Sequence, residues 1–122
     1  METSTTMRLR LRLTTTQGIV MGPGRADLLA LIAETGSIAA AGRQMKMSYR
    51  RAWTLVEAMN SSFSGALVET SKGGAVRGGA RLTPLGLSLL AAYRALETVT
   101  REAGAEKLAL FETALKPPAD TL

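Results

Sequence analysis

The stretch GSIAAAGRQMKMSYRRAW, residues 36–53, constrains the fold more than any other part of the chain. Ser37 reads as the N-cap of a short helix from Ile38 to about Met45, whose alanines at 39, 40 and 41 allow close approach to a neighbour. Lys46 and Met47 form a break. Ser48 is then a second N-cap, for a helix from Tyr49 to about Asn60. Within that helix Tyr49, Ala52, Trp53, Val56 and Met59 or Phe63 recur at helical spacing and share one stripe predicted to be buried. Arg50, Arg51 and Thr54 must then face away from the core.

Upstream, Leu28, Leu31 and Ile32 recur at helical spacing between Arg25 and Thr35. Asp27 is favourable in the first turn, and Gly36 stands just past the end. Three short helices, the last two joined by a tight turn, are the helix-turn-helix arrangement, in which the second helix of the pair enters the major groove of DNA by its N-terminal end. Next, LVET at 67–70 and ARL at 80–82 are strand-like and flank SKGGAVRGG, a loop with four glycines, Lys72 and Arg77. Beside a helix-turn-helix such a basic hairpin reads as a wing meeting phosphates or the minor groove. The alternative is a mobile glycine-rich loop, and Arg81 either serves the same surface or is structural. GGAVRGG lacks the strand-to-helix context and the GKS or GKT ending of a nucleotide-binding loop.

The chain starts differently. Residues 7–13 read MRLRLRL, which predicts a strand with Met7, Leu9, Leu11 and Leu13 on a core face and Arg8, Arg10 and Arg12 on a wet face. The arginines suit either an edge strand kept soluble by charge or a phosphate-facing rim. After a Gln17-Gly18 turn, Ile19 to Met21 can pair back on this strand, and GPG at 22–24 ends that piece. Towards the C-terminus, Thr83 and Pro84 make a strong helix start. Leu85, Leu89, Tyr93 or Ala92, Leu96 and Val99 continue at helical spacing to about Ala103, Gly104 interrupts, and Leu108, Phe111 and Leu115 form a second stripe before Pro117 and Pro118. This is more apolar face than so small a domain covers, and it suits either a dimer seam or packing across the domain.

Composition narrows the chemistry. The chain of 122 residues has no Cys and no His, which removes thiol nucleophiles, disulfides, imidazole bases and the usual zinc and copper sites. Its ten acids are scattered, so no carboxylate pair suggests general acid–base catalysis, and no enzyme is expected. The longest uncharged apolar run, LLALIA at 28–33, is far too short to cross a bilayer, and the chain is expected to be soluble and cytoplasmic. The net charge of +5 is uneven: residues 1–84 hold 11 Lys+Arg against 5 Asp+Glu, whereas residues 85–122 hold 4 against 5. One-sided basicity of this kind is a common footprint of nucleic-acid binding. A small basic RNA-binding or ribosome-associated protein is the competing class.

Over about residues 20–100 the chain resembles the N-terminal DNA-binding domain of ModE-type molybdate-responsive transcriptional regulators, through TGSIAAAGRQMKMSYRRAWTLVEAMN and then LVETSKGGAVRGGARLTPLG. LysR-type regulators share the looser frame of GSI, alanines and a later LTPLG, and come second. The resemblance implies an α+β, mainly α, winged helix-turn-helix that dimerises through flanking helices and binds a palindromic double-stranded operator. It implies base reading by Ser48, Tyr49, Arg50, Arg51 and Thr54, and wing or backbone contacts by Lys72, Arg77 and Arg81, to which Ser37, Arg43 and Lys46 add phosphate contacts. The dimer face falls on Leu85, Leu89, Tyr93, Leu96 and Val99. Residues 7–83 are expected to form the DNA-binding domain and 84–116 the C-terminal helix, with tails at 1–6 and 117–122. Full-length members carry additional C-terminal oxyanion-binding domains. Nothing in this chain resembles that module, so no cofactor and no molybdate site are expected.

Overall fold

The computed structural model describes residues 7–71 and 79–117, and the elements run β1 (Leu13–Thr15), β2 (Gly18–Met21), α1 (Pro23–Thr35), α2 (Ile38–Gln44), α3 (Tyr49–Ser62), β3 (Val68–Thr70), β4 (Ala80–Leu82), α4 (Pro84–Ala103) and α5 (Ala105–Ala114). Two antiparallel hairpins, β1-β2 and β3-β4, flank the helices. Mainly helical with short strands, this is the expected winged helix-turn-helix.

The helix boundaries follow local chemistry. α1 begins with Pro23 in its first turn and ends where Gly36, at φ 73°, donates its N–H to the Ile32 carbonyl at 2.8 Å. Ser37 Oγ accepts from the Ala40 N–H at 3.0 Å, Ser48 Oγ from the Arg51 N–H at 3.1 Å, and Thr83 Oγ1 from the Gly86 N–H at 2.9 Å. Each cap satisfies a backbone donor that the first turn would leave unpaired.

One core gathers these elements. Leu28, Leu29 and Ile32 of α1, Ile38 and Ala41 of α2, Ala52, Val56 and Met59 of α3, Leu67 and Val68 before and on β3, and Tyr93 of α4 are all buried. Of the three α2 alanines only Ala41 is buried; beside it Gly42 lets α3 approach so closely that a Cβ there would stand 3.0 Å from the Ala52 methyl. Asn60, near the end of α3, ties the wing to the bundle: its Oδ1 accepts from the Leu67 and Val68 N–H groups at 2.8 and 3.1 Å, and its Nδ2 donates to the Val68 carbonyl at 3.0 Å. At the start of α4, Gly86 lies against the Leu67 backbone, where a Cβ would collide with the carbonyl oxygen.

The N-terminal segment departs from expectation. Residues 7–12 form no strand; β1 begins only at Leu13, opposite Met21. The reason is a missing partner: β2 ends at Met21, and Gly22 and Pro23 turn the chain into α1. The segment lies instead along α4, where the Tyr93 hydroxyl donates to the Leu11 carbonyl at 2.8 Å. Burial, reinforced by Glu97, pushes the Tyr93 phenol above its ordinary pKa and keeps that donor protonated. Leu9 and Leu11 are half-buried, whereas Met7 and Leu13 are exposed and so leave the expected core face.

Candidate nucleic-acid interface

The turn between α2 and α3 is a two-bond helix ending. The Met47 N–H donates to the Gly42 carbonyl and the Lys46 N–H to the Arg43 carbonyl, both at 3.0 Å, while Lys46 takes φ 60°. This is the Schellman arrangement, with lysine where glycine is usual. It aims α3 across α2 and leaves the Lys46 side chain exposed beside Arg43 in the last turn of α2.

From its Ser48 cap α3 presents Arg50, Arg51 and Thr54 to solvent. Among the described residues, no carboxylate pairs with Arg50, Arg51, Arg43 or Lys46. Thr54 Oγ1 donates to the Arg50 carbonyl at 2.9 Å, which uses its hydroxyl proton within the helix. Tyr49 does not join the buried stripe. It stands 60% exposed and meets half-buried Trp53 edge to face, ring centroids 6.1 Å apart and planes at 77°. As the first residue of α3 it lies before the point where the core closes over Ala52, so its ring stands out at the same end of the helix as the arginines, and among the described residues its hydroxyl makes no hydrogen bond. The Ser37 and Ser48 hydroxyls accept from backbone N–H groups, which gives both serines a structural duty as caps.

The wing base closes one side of this surface. Ala80 donates its N–H to the Gly36 carbonyl at 2.9 Å, and Ser37 bridges Gly79, so the α1–α2 corner carries the β3-β4 hairpin directly. A cleft of about 450 Å³ runs between Tyr49 and Trp53 on one wall and Thr70, Ser71 and Gly79 on the other, with Ser37 at its floor. Arg81, strongly exposed, holds Glu69 through Nε and Nη2, both at 2.8 Å, so its charge is partly answered within the hairpin. Lys72 and Arg77 lie outside the described residues.

The arginines of the N-terminal segment are elsewhere. Arg8 and Arg10 share a surface with Pro23, Asp27, Arg94 and Arg101, at the start of α1, whereas the wing base and the cleft meet α1 at its other end. Thirteen residues of helix separate the two places, about 20 Å. Arg94 is committed there to Asp27 at 2.8 Å and Glu97 at 3.2 Å, and the Asp27 carboxylate raises its pKa further.

The residues expected to form a dimer face divide. Tyr93 is 2% exposed and hydrogen-bonded to Leu11, so it belongs to the protomer core and is withdrawn from that face. Leu85 and Leu89 pack partly against the core, while Leu96 and Val99 face solvent. Two contributions were missed from sequence, the Asn60 clamp and the Gly86 contact. Glycine in the first turn of a helix was the one available signal for the second, because it costs helix propensity and so calls for a packing reason.

No protein-family model matches the chain. It is similar to the molybdenum-pterin-binding protein MopB of Rhodobacter capsulatus, 46% identical over 107 residues that make up 86% of this chain and 38% of MopB. It is also similar to the molybdenum transport protein ModE of Herbaspirillum seropedicae, 47% identical over 57% of this chain and 26% of that protein, and to the transcriptional regulator ModE of Yersinia pestis, 37% identical over 71% of this chain and 33% of that protein. The chain thus spans about a third of the length of these relatives. Among solved structures, the DNA-binding domain of CbnR in complex with DNA superposes with a TM-score of 0.55 at 25% identity, over 71% of this chain and 95% of that one. CbnR, a LysR-family transcriptional regulator, superposes over 70% of this chain and 28% of its own at 22% identity with a TM-score of 0.54, a likeness of fold. Both resemblances read from the sequence are borne out: the relatives are ModE-type, and the structural neighbours are LysR-type.

Proposed function

We propose that the chain is a sequence-specific, double-stranded-DNA-binding transcriptional regulator of ModE type that acts in the cytoplasm. The observation that carries this reading is the pair Arg50 and Arg51, exposed and unpaired among the described residues at the capped start of α3, beside a cleft walled by the wing base. A guanidinium fork donates to guanine O6 and N7 together, worth about 1–3 kcal/mol of discrimination between bases. Arg43 and Lys46, on the α2 side of the same edge, are placed for phosphates, which raise affinity on every sequence. Tyr49 reaches a phosphate or a base edge from the end of α3, and Ser48 orients both arginines by holding the first turn. Lys72, Arg77 and Arg81 supply the wing contacts. The ModE relative from Yersinia pestis is named a transcriptional regulator, and one structural neighbour is a DNA complex, which supports the same conclusion.

The chain acts as a homodimer on a palindromic operator, its two α3 helices about 34 Å apart, one turn of duplex. Residues 7–83 bind DNA and 84–116 join the copies. No oxyanion binding is expected of this chain, so calorimetric titration with molybdate is expected to show no heat of binding.

A gel shift on duplex DNA with RNA as competitor, read at several salt concentrations, tests the central claim. Duplex is expected to win, with affinity falling steeply as salt rises. Arg50→Ala is expected to cut discrimination between operator and altered operator by about 1–3 kcal/mol, whereas Arg43→Ala lowers affinity for every duplex and reduces the salt slope by about one. Equal losses on all sequences for both variants would remove the base-reading role from Arg50.

A further inference from the structure

No charged side chain lines the cleft between α3 and the wing base. It offers hydrogen-bond donors set among apolar surfaces instead. Among the described residues, the Tyr49 hydroxyl, the Trp53 indole N–H and the Thr70 hydroxyl meet no acceptor, and the last two are not shut away from solvent. Two acceptors on the same walls are already committed: the Gly36 carbonyl takes the Ala80 N–H at 2.9 Å, and Thr35 Oγ1 takes the Ser37 N–H at 3.2 Å. An indole N–H only donates, so whatever stands against it must accept. The Tyr49 and Trp53 rings, edge to face, add apolar area beside these donors.

We propose that this cleft is a cradle for one phosphodiester linkage of the bound duplex, with Tyr49, Trp53 and Thr70 donating to its non-bridging oxygens and the two rings packing on the adjoining sugar. The cradle rests on the DNA-binding reading above. It gives Trp53 a contact that its packing against the core does not require. A duplex that takes α3 into its major groove and the wing into the neighbouring minor groove lays the strand between those grooves across the gap between α3 and the wing base. That gap is the cleft, and its volume of about 450 Å³ leaves room for a linkage with its sugars. A phosphate is an anion that accepts and never donates, which matches a wall of donors without carboxylates. Neutral donors release no counterions, so the cradle raises affinity without steepening the salt dependence, in contrast to Arg43 and Lys46.

Tyr49→Phe and Thr70→Val each remove one hydroxyl and keep the shape, so circular dichroism and the thermal midpoint are expected to stay as in the parent chain. On a duplex that the parent chain selects from a random pool, and equally on an unrelated duplex, each is expected to weaken binding about fivefold to tenfold with the salt slope unchanged. Trp53→Phe is expected to lose as much. A scan that replaces one phosphate at a time by neutral methylphosphonate locates the linkage. One position in each half-site is expected to cost the parent chain about tenfold and the Tyr49→Phe/Thr70→Val double variant several-fold less, because the two changes remove the same contact. Three results would overturn the cradle while leaving DNA reading intact: losses confined to the selected duplex, which would make these base contacts; a fall in the salt slope; or full additivity of variant and methylphosphonate at every linkage. A parent chain that binds no duplex at all would instead end the DNA reading itself, and the cradle with it.

Discussion

The helix pair α2-α3 and the helix pair α4-α5 use the same local devices and end in opposite states. In the first, every residue of the apolar stripe past Tyr49 finds cover inside the protomer: Ala52, Val56 and Met59 are buried, and Trp53 packs against the core. In the second only Gly86 and Tyr93 are buried, while Leu87, Leu96, Val99, Leu110, Phe111 and Leu115 face solvent. Amphipathic spacing thus marks a face that wants covering without saying whether the cover comes from the same chain. The first pair covers its apolar face within the protomer and shows its polar side to solvent, whereas the second leaves much of its apolar face uncovered.

The largest test of that contrast lies where the two pairs are joined. Gly86→Ala places a methyl against the Leu67 carbonyl, and because the opposing atom is backbone the cost is expected to exceed about 3 kcal/mol. Chemical denaturation would read it, and a loss below 1 kcal/mol would show that α4 can move off the wing without harm. Next comes a matched pair. Ile32→Ala in the core is expected to cost about 2–5 kcal/mol, and Leu110→Ala less than about 0.5 kcal/mol when measured at concentrations low enough to hold the chain as monomer. Similar losses would erase the distinction between the two regions. The smallest effect is at Lys46. Glycine tolerates φ 60° better than lysine does, so Lys46→Gly is expected to raise stability by up to about 1 kcal/mol while weakening binding to every duplex. A clear loss of stability would show that the lysine stem packs in the turn.

Much of the fold was legible because its signals are short-range. Ser37, Ser48, Thr83 and Gly36 act on backbone groups within a few residues of themselves, and each does what its identity predicts. The α2-α3 turn was visible only as a break, because the residue that takes the left-handed conformation is a lysine. The segment 7–12 was misread for a different reason. Alternation is necessary for a strand but does not supply a neighbour, and here the neighbour ends at Met21. Asn60 gave no local sign, since its partners are residues 67 and 68 brought back by the tertiary fold.

The sequence by itself determined where helices start and stop, which face of each is apolar, and that two arginines stand on the wet side of a capped helix. These follow from hydrogen-bond closure and periodicity inside one element. The tertiary structure alone decided which apolar faces are covered, withdrawing Tyr93 into the core and bringing Tyr49 out. It also set Trp53 and Tyr49 across a cleft from the wing base and placed the Arg8 and Arg10 segment a helix length away. Cover and distance depend on how elements pack against one another, and no local pattern carries that information.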